Sequence, residues 1–330
     1  MQIGLLGAGR IGAFHARVLA QNALVDGLSI ADADVDRAAA LAEELNAECR
    51  LTPEDVVSGG VDALVIAAAT PAHASLIHLA ADAGLPAFCE KPIALDLKTT
   101  DAVLDHVGEA GILLQIGFQR RFDPGYRAAR QEVRSGRLGD LLLVRAACHD
   151  PEPPPEEYLA ASGGIWRDLM IHDFDVLPWV TGRQIVEVYA EGTATDELFE
   201  RYDDVDRAVS VLRFDDGVLG IVSGGRYDPL GYDIRLELLG SLDSIVVGMD
   251  DRIALRSVEP GAAPPNTGYR DFMERFESAY RGELETFLER VRDRGESPCS
   301  GEDARRALCV ALAAERSRRE HRPVPVEEVG

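Results

Sequence analysis

Lysine is almost missing from this 330-residue chain: Lys91 and Lys98 stand against 32 arginines. Arginine serves wherever a fixed, always-protonated charge is needed. A lysine kept in that background points to chemistry that wants a compact donor with a movable pKa. Lys98 falls on a predicted helix face and reads as a solvated surface charge. Lys91, in Glu90-Lys91-Pro92, does not. Positive charge is scarce overall, with 34 basic against 57 acidic residues and a formal net charge of −23. Such a field repels phosphate backbones and anionic lipid, which argues against nucleic acid or a membrane surface as partner. No apolar run approaches the ~20 residues of a membrane span. No basic leader or cleavage signature precedes the first apolar segment, so a cytoplasmic location is expected. The cysteines are five, odd in number and scattered (Cys49, Cys89, Cys148, Cys299 and Cys309). None has C-x-x-C spacing, so free thiols in a reducing compartment are expected.

The length suggests two domains at ~150 residues each. Over the first ~120 residues, strand-like runs at 3–6, 24–31, 63–69, 87–89 and 112–116 alternate with helix-like runs at 11–20, 36–45, 73–83 and 97–109. Repeated βα units predict an α/β domain over residues 1–122, with a doubly wound parallel sheet. The pattern then changes. Strand-like runs at 141–147, 185–190, 208–214, 218–223, 234–239 and 244–247 have few helices between them. They predict a second α/β domain over 123–330 built on an open, mostly antiparallel sheet. Residues 150–164, rich in proline and glycine, read as a loop. Residues 272–292 and 304–319 read as helices, and those after His321 as a terminal extension. In 208–214, Val209 and Val211 share one strand face while Leu212 and Phe214 share the other. Helices of the same chain can cover one face, and a second copy is expected on the other.

Gly7-Ala8-Gly9-Arg10-Ile11-Gly12 fits G-x-G-x-x-G, follows a strand and opens a helix. Its first glycine permits the tight turn, its second admits a pyrophosphate, and its third lets helix and strand pack closely. The helix N-terminus offers unpaired N–H groups to the phosphates. Asp32 ends the second strand 20 residues after Gly12, where a carboxylate holds both adenosine ribose hydroxyls. It would repel a 2′-phosphate, and Ala33 and Asp34 follow rather than arginine. NAD is therefore expected rather than NADP.

Further motifs follow in a fixed order: Ala69-Thr70-Pro71 with His73, then Glu90-Lys91-Pro92, then Gly163-Gly164 followed by Asp168-x-x-x-His172-Asp173-x-Asp175. In this the chain resembles the glucose-fructose oxidoreductase / inositol dehydrogenase (Gfo/Idh/MocA) family over nearly its whole length. The stretches 117–123 and 171–175 look like the inositol dehydrogenase branch. The resemblance implies an N-terminal Rossmann domain and a second domain whose open sheet makes a homotetramer. It implies catalysis by Lys91, Asp168 and His172, and cofactor contacts from the glycine motif, Ala69, Thr70, His73, Glu90 and Lys91. It also places Arg121, His149 and Tyr227 near a polyol, with Trp166 either a cleft wall or plain core. The implied reaction is NAD-dependent oxidation of a secondary hydroxyl of a cyclic polyol, with myo-inositol to scyllo-inosose leading. Another sugar or inositol isomer, an NAD-dependent glycosidase and a non-catalytic nucleotide sensor are the alternatives.

The residues support that chemistry. Oxidising an alcohol needs a hydride acceptor, a base for the hydroxyl proton and a donor to the developing alkoxide. Histidine titrates near working pH, so His172 is the expected base. Lys91 is the expected donor to the same oxygen. Asp168 would orient His172 or accept from Lys91. No metal is required. Pro178 predicts that the helix carrying His172 starts late, leaving Asp168 ahead of it. Asp173 and Asp175 then read as capping residues at its start.

Overall fold

The apolar run Gln2–Leu6 (β1) is an inner strand of a six-stranded parallel sheet. The other strands are Gly27–Ala31 (β2), Glu48–Cys49 (β3), Ala63–Ile66 (β4), Ala87–Glu90 (β5) and Leu114–Gly117 (β6), in the order β3-β2-β1-β4-β5-β6. The computed structural model describes all 330 residues. Helices Arg10–Ala20 (α1), Val35–Leu45 (α2), Pro53–Ser58 (α3), Thr70–Asp82 (α4) and Leu97–Ala110 (α5) connect these strands. Ala63, Leu64, Val65 and Ile66 are all fully buried, as a strand covered on both faces must be. The core joins Ile3, Leu5, Val65 and Phe88 to Leu284, Phe287 and Leu288 from near the chain's end.

That last contribution alters the expected domain limits. One compact unit comprises Met1–Gln119 with Tyr280–Arg305, the other Arg120–Ala279 with Arg306–Gly330. The first boundary falls close to residue 122. Residues 280–305 return to the first unit, because the apolar face of a distant helix completes its core.

In the second unit, Leu141–His149 (β7), Ile185–Thr193 (β8), Arg207–Phe214 (β9), Leu219–Gly225 (β10), Asp233–Gly240 (β11), Ser244–Val247 (β12) and Val324–Pro325 (β13) form a sheet ordered β12-β11-β7-β10-β9-β8-β13. Every pairing is antiparallel except β7 with β10. In β9, Ala208, Ser210, Leu212 and Phe214 are buried, while Val209 and Val211 are exposed. Leu142, Leu219 and Ile221 are exposed as well. The sheet therefore has one packed face and one exposed face, on which apolar side chains alternate with the ion pairs Arg145–Glu237 and Arg213–Glu187. The remaining helices are Pro124–Arg134 (α6), Glu156–Ser162 (α7), Ile171–Thr181 (α8), Glu197–Glu200 (α9), Phe272–Asp293 (α10) and Gly301–Glu320 (α11). No helix is long and apolar enough to cross a membrane.

Three local expectations need correction. The stretch 150–164 contains α7. Glu156 and Glu157 stand in its first turn after Pro155, and Gly163 at φ +82° ends it. The helix bearing His172 does not start late either. A π-helical turn, Trp166–Met170, runs straight into α8, and Pro178 sits inside that helix. Ile171, Phe174, Val176, Leu177 and Val180 are all at most 1% exposed. Packing on every side outweighs the ~3 kcal/mol that an interior proline costs. Finally, the segment after His321 is no loose extension: Val324 and Pro325 add β13 to β8.

The β8 edge shows how closely the tail is tied in. Beyond β13, the N–H of Ala190 donates to Oγ of Ser317 at 2.9 Å, and that hydroxyl donates to the carbonyl of Arg322 at 2.6 Å. Ser317 is fully buried. Ser317→Ala is expected to lower unfolding free energy by about 1–3 kcal/mol in denaturant titration, because it strands a buried N–H and a carbonyl.

Candidate active site

The carboxyl ends of β2, β1, β4 and β5 carry the first unit's candidate residues. Strand order reverses direction between β1 and β4, which is where open α/β sheets bind ligands. Gly7 adopts φ +106°, and a Cβ there would come within 2.5 Å of the Ala68 nitrogen. A Cβ on Gly12 would come within 2.0 Å of the Gly7 carbonyl oxygen. Gly9 differs: a Cβ there would meet nothing within 4 Å. The protein itself leaves that space open, beside the start of α1. No side chain caps α1, and its first turn holds no acid, although Arg10 and Ile11 open it. The N-terminus of α4 at Ala69-Thr70 is likewise uncapped by any side chain and free of acids. These features fit a pyrophosphate.

Asp32 is already engaged. Its Oδ2 accepts from the Ala8 N–H at 2.5 Å, and its Oδ1 from the Asp34 N–H at 2.8 Å. Arg37 from α2 approaches Oδ1 to 3.7 Å. Arg37 stands in the first turn of α2, beyond the residues directly after Asp32, so sequence adjacency does not reveal this cation. Arg37 also pairs with Asp34 at 3.1 Å, which offsets its charge.

Glu90 ends β5, and Lys91 follows it, partly buried. His73 is 1% exposed. Its Nδ1 lies 2.7 Å from the Pro92 carbonyl oxygen and its Nε2 2.9 Å from that of Ala68. In the structure it is an enclosed tie between the segments after β4 and after Lys91.

In the second unit, the parallel pairing of β7 and β10 sets their carboxyl ends side by side, with Gly225 opposite His149. Just beyond those ends, Arg226 is 2% exposed and gathers the acids. Its Nη2 lies 2.9 Å from Oδ2 of Asp168, and its Nη1 3.3 Å from Oδ2 of Asp150. Burial works against its charge, but Asp168, Asp150 and Asp204 outweigh burial and raise its pKa further. The Tyr158 hydroxyl from α7 donates to Oδ1 of Asp168 at 2.6 Å. Asp168, followed by burial, pushes that phenol well above its ordinary value, so it remains a donor. Asp168 is thus held on both oxygens, in the π turn one turn before His172. The i, i+4 spacing sets both on one helix face.

The other sequence candidates separate. Arg121 forms a buried bidentate pair with Asp175, at 2.9 and 2.5 Å. Arg120 pairs with Asp173 at 2.6 Å, both about 1% exposed. Asp173 and Asp175 therefore neutralise buried arginines rather than cap a helix, and the Arg121 guanidinium is already committed to that pair. Trp166 is 3% exposed and donates to Oγ of Ser210 at 3.3 Å, while it also borders a cavity lined by Gly163, Gly164 and Arg318. His149 remains half-buried, with Nε2 3.2 Å from Oγ of Ser223 and Nδ1 4.0 Å from Asp228. Burial lowers its pKa against the pull of Asp233 and Asp228. Tyr227 is half-exposed beyond β10. Arg226 and Tyr158 were missed because neither stands in a motif. Only the adjacency of Arg226 to Tyr227 pointed towards the first of them.

Residues 1–118 match the oxidoreductase family with an NAD-binding Rossmann fold, and residues 126–246 match the GFO/IDH/MocA C-terminal domain. A myo-inositol dehydrogenase of Streptomyces leeuwenhoekii is 40% identical over 96% of this chain and 97% of its own length. The scyllo-inositol 2-dehydrogenase (NAD(+)) of Bacillus subtilis is 34% identical over 99% of this chain and 96% of its own. The crystal structure of a probable dehydrogenase from Thermotoga maritima superposes with a TM-score of 0.94 at 34% identity, covering 100% of both chains.

The two glycines should fail differently. Gly9→Ala is expected to fold with its melting temperature within about 2 °C of the parent. It should bind NAD at least about tenfold more weakly, because the new methyl takes the pyrophosphate's space. Gly12→Ala should lower the melting temperature itself. Calorimetry of binding and of unfolding separates the two outcomes.

Proposed function

The chain belongs to the GFO/IDH/MocA oxidoreductase family, and on that footing we propose that it is a cytoplasmic NAD-dependent inositol dehydrogenase, with myo-inositol to scyllo-inosose as its leading reaction. The observation that carries this reading is Lys91 at the carboxyl end of β5, in the same row of strand ends as the glycine turn. The cofactor, when bound, supplies the hydride acceptor. Lys91 donates to the reacting hydroxyl and steadies the oxygen as negative charge develops. His172 takes the hydroxyl proton. Asp168, fixed by Arg226 and Tyr158, orients that chemistry without leaving its place.

Asp32 supports NAD over NADP, since a 2′-phosphate would meet its carboxylate. Arg37 is too occupied with Asp34 to invite one. His149 and Tyr227 supply polyol contacts beyond β7 and β10. The similarity to both myo- and scyllo-inositol enzymes makes the epimer the point to measure. Copies of the chain cover the exposed face of the β7–β13 sheet and assemble as a homotetramer.

With myo-inositol and NAD⁺, NADH is expected to accumulate. A panel of inositol epimers, glucose and galactose then ranks the substrates by kcat/KM. Lys91→Ala and His172→Ala should each lower kcat at least ~100-fold. Parental turnover in both variants would sink the mechanism. Val209→Glu with Val211→Glu should shift sedimentation to smaller species, because it places charge on the covered face.

A further inference from the structure

One buried carboxylate stands outside the candidate site and reaches it through the backbone. Asp204 lies in the turn after α9 and is 8% exposed. Its N–H donates to the Phe199 carbonyl at 3.0 Å. The residue before it, Asp203, pairs with Arg318 and Arg319 of α11 at 3.1 and 2.9 Å. The turn is therefore tied to α9 on one side and α11 on the other. From it, Oδ1 of Asp204 accepts from the Ile165 N–H at 2.9 Å, across 39 residues of sequence. Ile165 opens the π turn that carries Asp168.

Two glycines make that approach possible. Gly163 and Gly164 have φ of +82° and +89°, which suits residues without a Cβ. A Cβ on Gly164 would come within 3.0 Å of Oδ1 of Asp204. The pair ahead of Asp168 thus has a physical reason: it lets a distant carboxylate reach the first amide of the turn, a group with no partner inside the helix. The Gly164 N–H is held as well, by Oγ of Ser162 at 3.2 Å. The Asp168 N–H donates to the Gly164 carbonyl at 3.0 Å. A shift of the Gly164–Ile165 peptide therefore carries Asp168 with it. A π turn is a local departure from regular helix and needs such outside support to keep its frame.

We propose that Asp204 is a positioning residue for Asp168: by holding the Ile165 amide it fixes the frame of the π turn, and so the place where the Asp168 carboxylate meets Arg226 and Tyr158. This rests on Asp168 serving the chemistry above. Each link is a hydrogen bond or ion pair of ordinary length: Asp204 to Ile165, Asp168 to Gly164, Asp168 to Arg226 and to Tyr158. A cap that served stability alone would leave the turnover of the folded protein as it is. A positioning cap acts on turnover only while Asp168 is present.

The test compares Asp204→Asn and Asp204→Ala in the full-length protein, each alone and combined with Asp168→Asn. Asp204→Asn still offers an oxygen to the Ile165 amide and should keep kcat within about threefold of the parent. Asp204→Ala should keep the parental dissociation constant for NAD but lose at least about tenfold in kcat, from misplacement of Asp168. Where Asp168 is already Asn, Asp204→Ala should cost no more than about a further twofold, because the two residues act as one unit. Asp204→Ser, one bond short of the amide, takes the place of Asp204→Ala if that variant does not fold, with the same expectation. Parental kcat in Asp204→Ala, a tenfold loss in Asp204→Asn, or a loss that persists in full on top of Asp168→Asn would each overturn the proposal. Parental kcat in Asp168→Asn alone would overturn the reading of Asp168, and the positioning role with it. That result is read before Asp204 is touched, which tells the two failures apart.

Discussion

A single buried guanidinium organises the second unit. Arg226 is buried, and the carboxylates of Asp168 and Asp150 compensate its charge there. The pairing joins the end of β10 to Asp150 beyond β7 and to Asp168 in the π turn. Removing the guanidinium would take away a charge that compensates the buried Asp168 carboxylate. The π turn matters for the same reason. It widens the helix just where Asp168 must reach Arg226, while α8 continues at ordinary pitch and carries His172.

The first unit was largely legible in the sequence because its constraints are local. Gly7 and Gly12 have no room for a side chain, so the motif and the geometry are the same fact. Lys91 stood out by rarity, and its place at a strand end followed from the βα alternation. The second unit was legible in its sheet but less so in its site. Val209, Val211, Leu212 and Phe214 announced a strand apolar on both faces, and the exposures agree. Pro178 misled because local backbone cost was weighed without the packing that surrounds α8. Arg226 and Tyr158 stayed hidden because they reach Asp168 from 58 and 10 residues away, with no spacing to reveal it. Asp204 was hidden for a related reason: an aspartate in a turn reads as solvated until a distant helix start meets it.

The scarcity of lysine takes on a different meaning beside these pairs. Arg120, Arg121 and Arg226 are all buried against carboxylates. A planar fork, weakly hydrated and bidentate, suits such places better than an ammonium. Arginine serves the architecture of this chain, which is why Lys91 stands out by its rarity.

The ends of the second sheet carry a last consequence. β13 is only two residues long, and one of them is Pro325, which has no N–H to offer. At the opposite border, β12 has only four residues. A sheet with such blunt margins cannot recruit a foreign strand along its borders, whether from another copy or from a misfolded neighbour. Val209, Val211, Leu219 and Ile221 can therefore lie exposed on one face of this sheet while its borders offer little template for ribbon-like growth.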